Sequence, residues 1–416
     1  MGISSRHLRI LGAAAGVLVL GAGVLGTAAL AAHAKPLTRR TCRTVTERVR
    51  VTAHAAPLLA RVVHTRTTRT IRVRVCRTVV VGTTARRHSV RVVHHPAPST
   101  AVHISTQALS AVRLSVPTTS GAPLSLGVTL GSSPFDGMAE LQGYAAMVGA
   151  APREMMWYRQ WNEPLITGGE VQATAQRGIT PIITWEPMDP NNTADPSYAL
   201  AQIASGGWDS YITQSAQAAA ATGTPFLVNF APEMNGAWEP WGPAQFGNTP
   251  AAFVAAYRHV VDLFRAAGAT NVGWIWDPNA DWEAGRVYAS YYPGDAYVDW
   301  VGMDGYNWGT TTSDGWLTPV QVFGPAYAAL RSLAAKPIII EETGSTEQGG
   351  SKADWIDQLA STVPVQFPAV RAVVWFQRNK ETDWRVNSSA GALAAFQALA
   401  QSPQWAGGPM AVHPAG

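Results

Sequence analysis

From residue 124 onward the chain repeats one rhythm: a short apolar run of β type, then an Ala-rich stretch of helical character. The runs lie at 124–130, 154–161, 180–187, 224–233, 271–279, 298–307, 336–344 and 370–377. Helical candidates between them include 211–223, 251–268 and 323–335. Near-continuous apolar strands alternating with helices predict a parallel sheet covered on both faces. Eight such units predict an α/β fold of the (β/α)8 type, a TIM barrel, over residues 122–408. The rival is an open doubly wound sheet, whose commonest use needs a glycine-rich phosphate turn after the first strand, and none follows it here.

The part before residue 122 has a different texture. Arg6 and Arg9 precede an apolar run from Ile10 to Ala32, and the stretch AAHA ends in a small-x-small site before Lys35. This reads as an export signal over residues 1–34, cleaved after Ala34. The run is also long enough to span a bilayer, so a retained membrane anchor is the alternative. Either reading places the body outside the cytoplasm, secreted or attached to the cell surface.

Residues 35–93 form a small basic segment, and residues 94–121 a linker rich in Ser, Thr, Pro and Ala. The net charge of +4 conceals this division. Residues 35–98 carry Lys35 and fourteen Arg against Glu47 alone, a net of +14, whereas residues 99–416 carry 14 basic and 26 acidic side chains, a net of −12. TCRTVTERVRV (41–51) and VCRTVVVGTTARRHSVRV (75–92) share a C-R-T-V start and then alternate Val with Arg, which predicts half-buried strands. Their cysteines, Cys42 and Cys76, are the two in the chain, and in an exported protein such a pair is expected to form a disulfide. The body, lacking cysteine, has neither a thiol nucleophile nor a thiolate metal site. The basic segment has no aromatic side chain on which bases would stack, so nucleic acid is not the expected partner. An anionic cell-wall polymer is, with a plain basic spacer as the alternative.

The candidate chemistry gathers where the strands of the barrel end. In FLVNFAPEMNGAWEPWG (226–242) a buried-strand pattern breaks at Pro232 and presents Glu233 beside Asn235, Trp238 and Trp241. A carboxyl group among indole rings loses hydration, which favours its protonated form and suits a general acid. Other strand ends carry Trp185 with Glu186, Trp276 with Asp277, Asp304 with Tyr306, Glu341 with Glu342, and Trp375 with Gln377. Active sites of this fold form at the C-terminal ends of the strands. Acids and aromatics converging there suit a sugar cleft, rings stacking on pyranose faces and carboxylates bonding hydroxyls. Glycoside hydrolysis needs two carboxyl groups flanking the scissile bond. Glu233 on the fourth strand and a Glu on the seventh would face each other across the barrel mouth. Because side chains alternate along a strand, one of Glu341 and Glu342 should point into the mouth. Glu342, nearer the loop, is the expected partner, and Glu341 the structural one. None of His103, His259 and His413 falls at a strand end, so a Ser-His-Asp triad and a histidine metal site are not expected, and no cofactor is needed.

PEMNGAWEPWG, YYPGDAYVDWVGMDGYN (291–307), KPIIIEETGS (336–345) and VVWFQRNKETDWRV (373–386) are the motifs by which residues 122–405 resemble glycoside hydrolase family 26. That family comprises clan A retaining enzymes and includes β-mannanases. The resemblance implies that Glu233 is the acid/base and Glu342 the nucleophile. It further implies that Tyr306 bonds the nucleophile and that Trp238 and Trp375 line sugar subsites. Asn235 and Trp241, inside the same motif, and Trp185 and Trp276, at strand ends, complete the expected substrate-binding set. The implied activity is a retaining endo-β-glycosidase acting as a monomer, with β-1,4-mannan as the first substrate. Pro232 stands where the mannanases would have His, Asn229 where they often have Arg, and Trp185-Glu186 where they often place His. β-1,3-1,4-Glucan, β-1,4-glucan and xylan therefore stay open, as does a carbohydrate-binding barrel without catalysis. WNEP (161–164) imitates an acid/base motif but follows the second strand, so Glu163 is read as a loop residue.

Overall fold

The computed structural model describes residues 38–51, 67–80, 122–131, 134–243, 245–280 and 288–414. The expected export signal and the expected linker lie outside the described residues. The described residues fall into two compact units, 38–51 with 67–80 in one and 122–414 in the other.

In the basic unit, β1 (Thr38–Val51) pairs antiparallel with β2 (Thr67–Val80). The second strand begins earlier than the Val/Arg alternation at 75–92 suggests. Cys42 and Cys76 occupy partnered positions in the ladder; their side chains, and so the expected disulfide, are outside what is described.

In the barrel unit all eight expected strands are present: β3 (Ser125–Thr129), β4 (Glu154–Gln160), β5 (Thr180–Glu186), β6 (Phe226–Phe230), β7 (Val272–Trp276), the sixth split into β8 (Trp300–Gly302) and β9 (Gly305–Asn307), β10 (Ile338–Ser345) and β11 (Val370–Phe376). Every neighbouring pair is parallel, and β11 pairs with both β10 and β3, which closes the barrel. Between and after the strands run α1 (Pro134–Val148), α2 (Glu170–Ala175), α3 (Leu200–Ala204), α4 (Asp209–Thr222), α5 (Pro250–Ala266), α6 (Tyr288–Tyr291), α7 (Pro319–Leu333), α8 (Lys352–Gln366) and α9 (Ala390–Ala400). Thr249, Thr318, Ser351 and Ser389 cap four of them by accepting a backbone N–H, as a hydroxyl does at an N-cap.

Side chains along the strands sort by parity. Ile182, Leu227, Ile275, Ile339 and Val374 belong to the inner cluster, while Ile183, Val228, Trp274, Trp276, Val373 and Trp375 belong to the larger layer between sheet and helices. Met410 and Val412, from the C-terminal stretch, join the inner cluster and stopper the barrel at its N-terminal end. Gly273 permits this, since a Cβ there would come within 2.3 Å of the Val412 carbonyl.

Candidate active site

Above the inner apolar tier the same inward parity becomes polar. Thr184, Asn229, Asp277, Asp304 and Glu341 are all buried there. The Asn229 amide donates to Asp277 Oδ2 (3.0 Å) and Glu341 Oε2 (2.6 Å), and the Thr184 hydroxyl donates to Glu341 Oε1 (3.2 Å). Gly302 is required beside this tier, because a Cβ there would lie 2.3 Å from Asp277 Oδ1. Burial pushes Asp277, Asp304 and Glu341 well above the usual carboxylate range, and their mutual repulsion adds to it. Both effects favour the protonated form of each carboxyl. Glu341 therefore has a structural place.

Glu342 sits one level higher. Simple alternation would send it out of the barrel, since Glu341 already points in. The β10 ladder shifts register between Ile340 and Thr343, pairing with β8 before the shift and β9 after it. This irregularity lets consecutive acids both serve the barrel's inner side, Glu341 in the floor and Glu342 at the mouth. Glu342 Oε1 accepts from the Tyr158 hydroxyl and Oε2 from the Tyr306 hydroxyl (2.6 Å). Its backbone N–H donates to Asp304 Oδ1 (2.7 Å). Burial and the neighbouring Glu342 charge raise the Tyr306 pKa well above that of a free phenol, which keeps it a donor.

Glu233 follows β6 on a strained turn. Ala231 and Glu233 have φ of +51° and +50°, a region L-residues enter at a cost of about 1 kcal/mol or more. Three bonds hold the turn: Ala231 N–H to the Trp185 carbonyl (3.1 Å), Glu233 N–H to the Asp277 carbonyl (2.8 Å) and the Trp241 indole to the Pro232 carbonyl (2.6 Å). Trp241 is thus a buried brace. The Glu233 carboxyl accepts from the Asn279 amide (2.6 Å) and the Trp238 indole (2.8 Å). Asn235 and Asn279 exchange two bonds of 2.9 Å, which fixes Asn279 in turn. Each carboxyl oxygen keeps a further lone pair on which a proton can be carried. Trp238→Phe keeps the aromatic wall and removes one donor from Glu233, so kcat/KM should fall roughly tenfold, the weight of one hydrogen bond. Steady-state kinetics on whichever glycan is cleaved checks this.

Glu233 and Glu342 line one cleft, with Tyr306, Trp308, Phe376, Lys380, Glu381 and Trp384. Of the expected substrate-binding residues, the structure brings Tyr306 to the cleft wall and Asn235, Trp238 and Trp241 to the Glu233 turn. Three do not reach it. Trp185 lies among Trp161, Tyr211, Phe230 and Phe264, Trp276 packs on Tyr292, and Trp375 lies between Trp355 and Phe396, each fully buried. The correction is one of parity: all three point toward the helices, and on β11 the inward neighbour Phe376 takes the place expected of Trp375. Glu163 accepts a bond from Arg159 (3.4 Å) on a partly exposed loop. Tyr158, Asn279, Trp308 and Trp384 were not anticipated. Parity with Met156 was available for Tyr158, and the DWR tail of the fourth motif contained Trp384.

Residues 203–361 match the family model described as glycosyl hydrolase family 26. That match lies inside the barrel and makes it similar to glycosyl hydrolase family 26. Endoglucanase H of Acetivibrio thermocellus is 43% identical over 249 residues, covering 59% of this chain and 26% of that protein. A mannan endo-1,4-β-mannosidase of Bacillus subtilis is 25% identical over 176 residues, covering 41% of this chain and 43% of that one. The chain thus spans about a quarter of the first relative and under half of the second. Among solved structures, a family 26 β-mannanase from Bacteroides ovatus superposes with a TM-score of 0.52 at 16% identity, covering 71% of this chain and 93% of that chain. This last likeness concerns the fold.

Proposed function

We propose that the protein is a secreted or surface-attached retaining endo-β-glycosidase. The observation that supports it best is the pair Glu233 and Glu342, which line one cleft and are held by different partners. Glu342 attacks the anomeric carbon while Glu233 gives its proton to the leaving oxygen, which forms a glycosyl-enzyme ester. Glu233 then takes a proton from water, whose oxygen displaces Glu342. The phenols of Tyr158 and Tyr306 hold the Glu342 carboxylate in position.

Two substrates compete. β-1,4-Mannan follows from the motif resemblance and from the mannosidase relative. A β-glucan is favoured by the higher identity to Endoglucanase H and by Pro232, Trp185 and Glu186 replacing the expected histidines. We place β-glucan first. Reducing-sugar release on galactomannan, glucomannan, barley β-glucan, carboxymethylcellulose and xylan separates these readings. Activity on barley β-glucan with none on galactomannan supports the first, and the reverse restores mannan. No release from any of them, by folded protein, would leave a binding barrel.

The basic segment is proposed to hold the enzyme on an anionic wall polymer. Deleting residues 35–93 should leave hydrolysis of soluble glycan unchanged and lower retention on wall preparations; equal retention would refute the attachment.

A further inference from the structure

Lys352 opens α8, directly after its N-cap Ser351. A cation there opposes the helix dipole, and this one is also fully buried. Two unfavourable placements in one residue call for a compensating contact. The structure provides it: Nζ donates to the backbone carbonyls of Asp383 (2.7 Å) and Arg385 (2.9 Å). Burial draws the ammonium down to about 8, with the Glu347 and Asp383 charges opposing the fall and Arg385 adding to it.

The carbonyl between those two, that of Trp384, accepts from the Trp375 indole (2.9 Å). Three successive carbonyls of the loop after β11 are therefore tied down from beneath. The Trp384 side chain, facing the cleft, packs on Tyr306 and Trp308 with ring centroids at 4.8 and 4.7 Å, and its indole N–H donates to Glu381 (3.2 Å). Tyr306 in turn bonds Glu342 (2.6 Å). One buried amine thus lies at the base of a chain of contacts that ends on a carboxylate of the cleft.

We propose that Lys352 is a positioning residue for the sugar cleft, its ammonium fixing the backbone of residues 383–385 and so the aromatic wall of Trp384, Tyr306 and Trp308. The role rests on the glycosidase reading for its kinetic consequence, but its structural half can be measured without substrate. Lys352→Met keeps the length of the stem and removes the donors. Lys352→Arg keeps donors with a different reach and serves if the first variant fails to fold.

Hydrogen exchange in the full-length protein is the first readout. Peptides covering 378–386 should exchange at least tenfold faster in Lys352→Met, with peptides of β10 and β11 unchanged, and Lys352→Arg should recover part of the protection. Kinetics is the second: KM on the cleaved polymer should rise about tenfold with kcat within threefold. Lys352→Met added to Trp384→Ala should cost no more than Trp384→Ala alone, since residues acting through one contact are not additive. Unchanged exchange in the loop overturns the proposal, and so does a fall in kcat with KM constant. If the wild type cleaves nothing, the glycosidase reading fails and the exchange result alone judges the clamp.

Discussion

Glu342→Ala should lower kcat on the cleaved glycan by roughly 10⁴-fold or more, with KM little changed. The side chain is 2% exposed, so its removal disturbs little surface, and the proposed mechanism gives it the covalent step. Tyr158 and Tyr306 would lose their acceptor but keep their packing. Glu233→Ala should cost less, about 10²–10⁴-fold on polymer, because general acid catalysis supplies that much, and less again on an aryl glycoside whose leaving group needs no proton. Glu341→Gln is the control that separates the two adjacent acids. Its amide can take the bond from Asn229 or Thr184, so the change should act on stability more than on kcat. If Glu341→Gln were the silent variant and Glu342→Ala the active one, the roles given to the floor and the mouth would be exchanged.

The second large effect concerns stability and pH. Glu154, the first residue of β4, is fully buried at the stoppered end of the barrel and accepts the Met410 N–H (3.2 Å). Burial raises its pKa from 4.5 to about 8, against the lowering effect of bonds from Ser125 and Met410 and of the Arg153 charge. The folded state therefore binds a proton that the unfolded chain releases near 4.5. The stability this represents is complete below pH 4.5 and is lost as pH rises through about 8. The loss is on the order of 5 kcal/mol for a shift of that size. Glu154→Gln keeps the acceptor for Met410 and removes the titration. Urea unfolding at pH 5 and pH 8.5 should then show similar stability for both proteins at the lower pH and a clear advantage for Glu154→Gln at the higher. Equal loss in the two proteins would show that Glu154 does not hold the proton. The raised pKa values of Asp277, Asp304 and Glu341 act in the same direction, so the wild type and the variant should both retain some decline.

The barrel was legible because its signals are local. Eight apolar runs, each followed by an Ala-rich stretch, need no knowledge of contacts, and the strand ends mark themselves by a switch to Trp, Glu and Asp. Glu233 was legible for the same reason, as a carboxyl at the break of an apolar strand. Parity was the rule that decided the rest. It separates Trp185, Trp276 and Trp375, which face the helices, from Glu186, Asp277 and Phe376, which do not, and it could have been counted from Ile182, Ile275 and Val374. Residues 341 and 342 reverse the lesson. Strict alternation admits one of them, yet both serve the inner side because β10 changes register and partner between Ile340 and Thr343. That irregularity depends on how β8 and β9 are split, a long-range fact with no mark in KPIIIEETGS itself. Asn279 and Tyr158 were hidden for a related reason: each bonds an acid distant in sequence, at separations of 46 and 184 residues.

The central claim is that Glu342 forms the covalent bond to sugar and Glu233 moves the proton. Chemical rescue tests it most directly. Glu342→Ala is incubated with an activated aryl β-glycoside of the preferred sugar and sodium azide, and the anomeric configuration of the product is read by proton NMR. An α-glycosyl azide, formed by azide attacking from the side that Glu342 vacated, is the predicted result. A β-glycosyl azide would mean that the covalent intermediate still forms and that Glu342 is not the nucleophile.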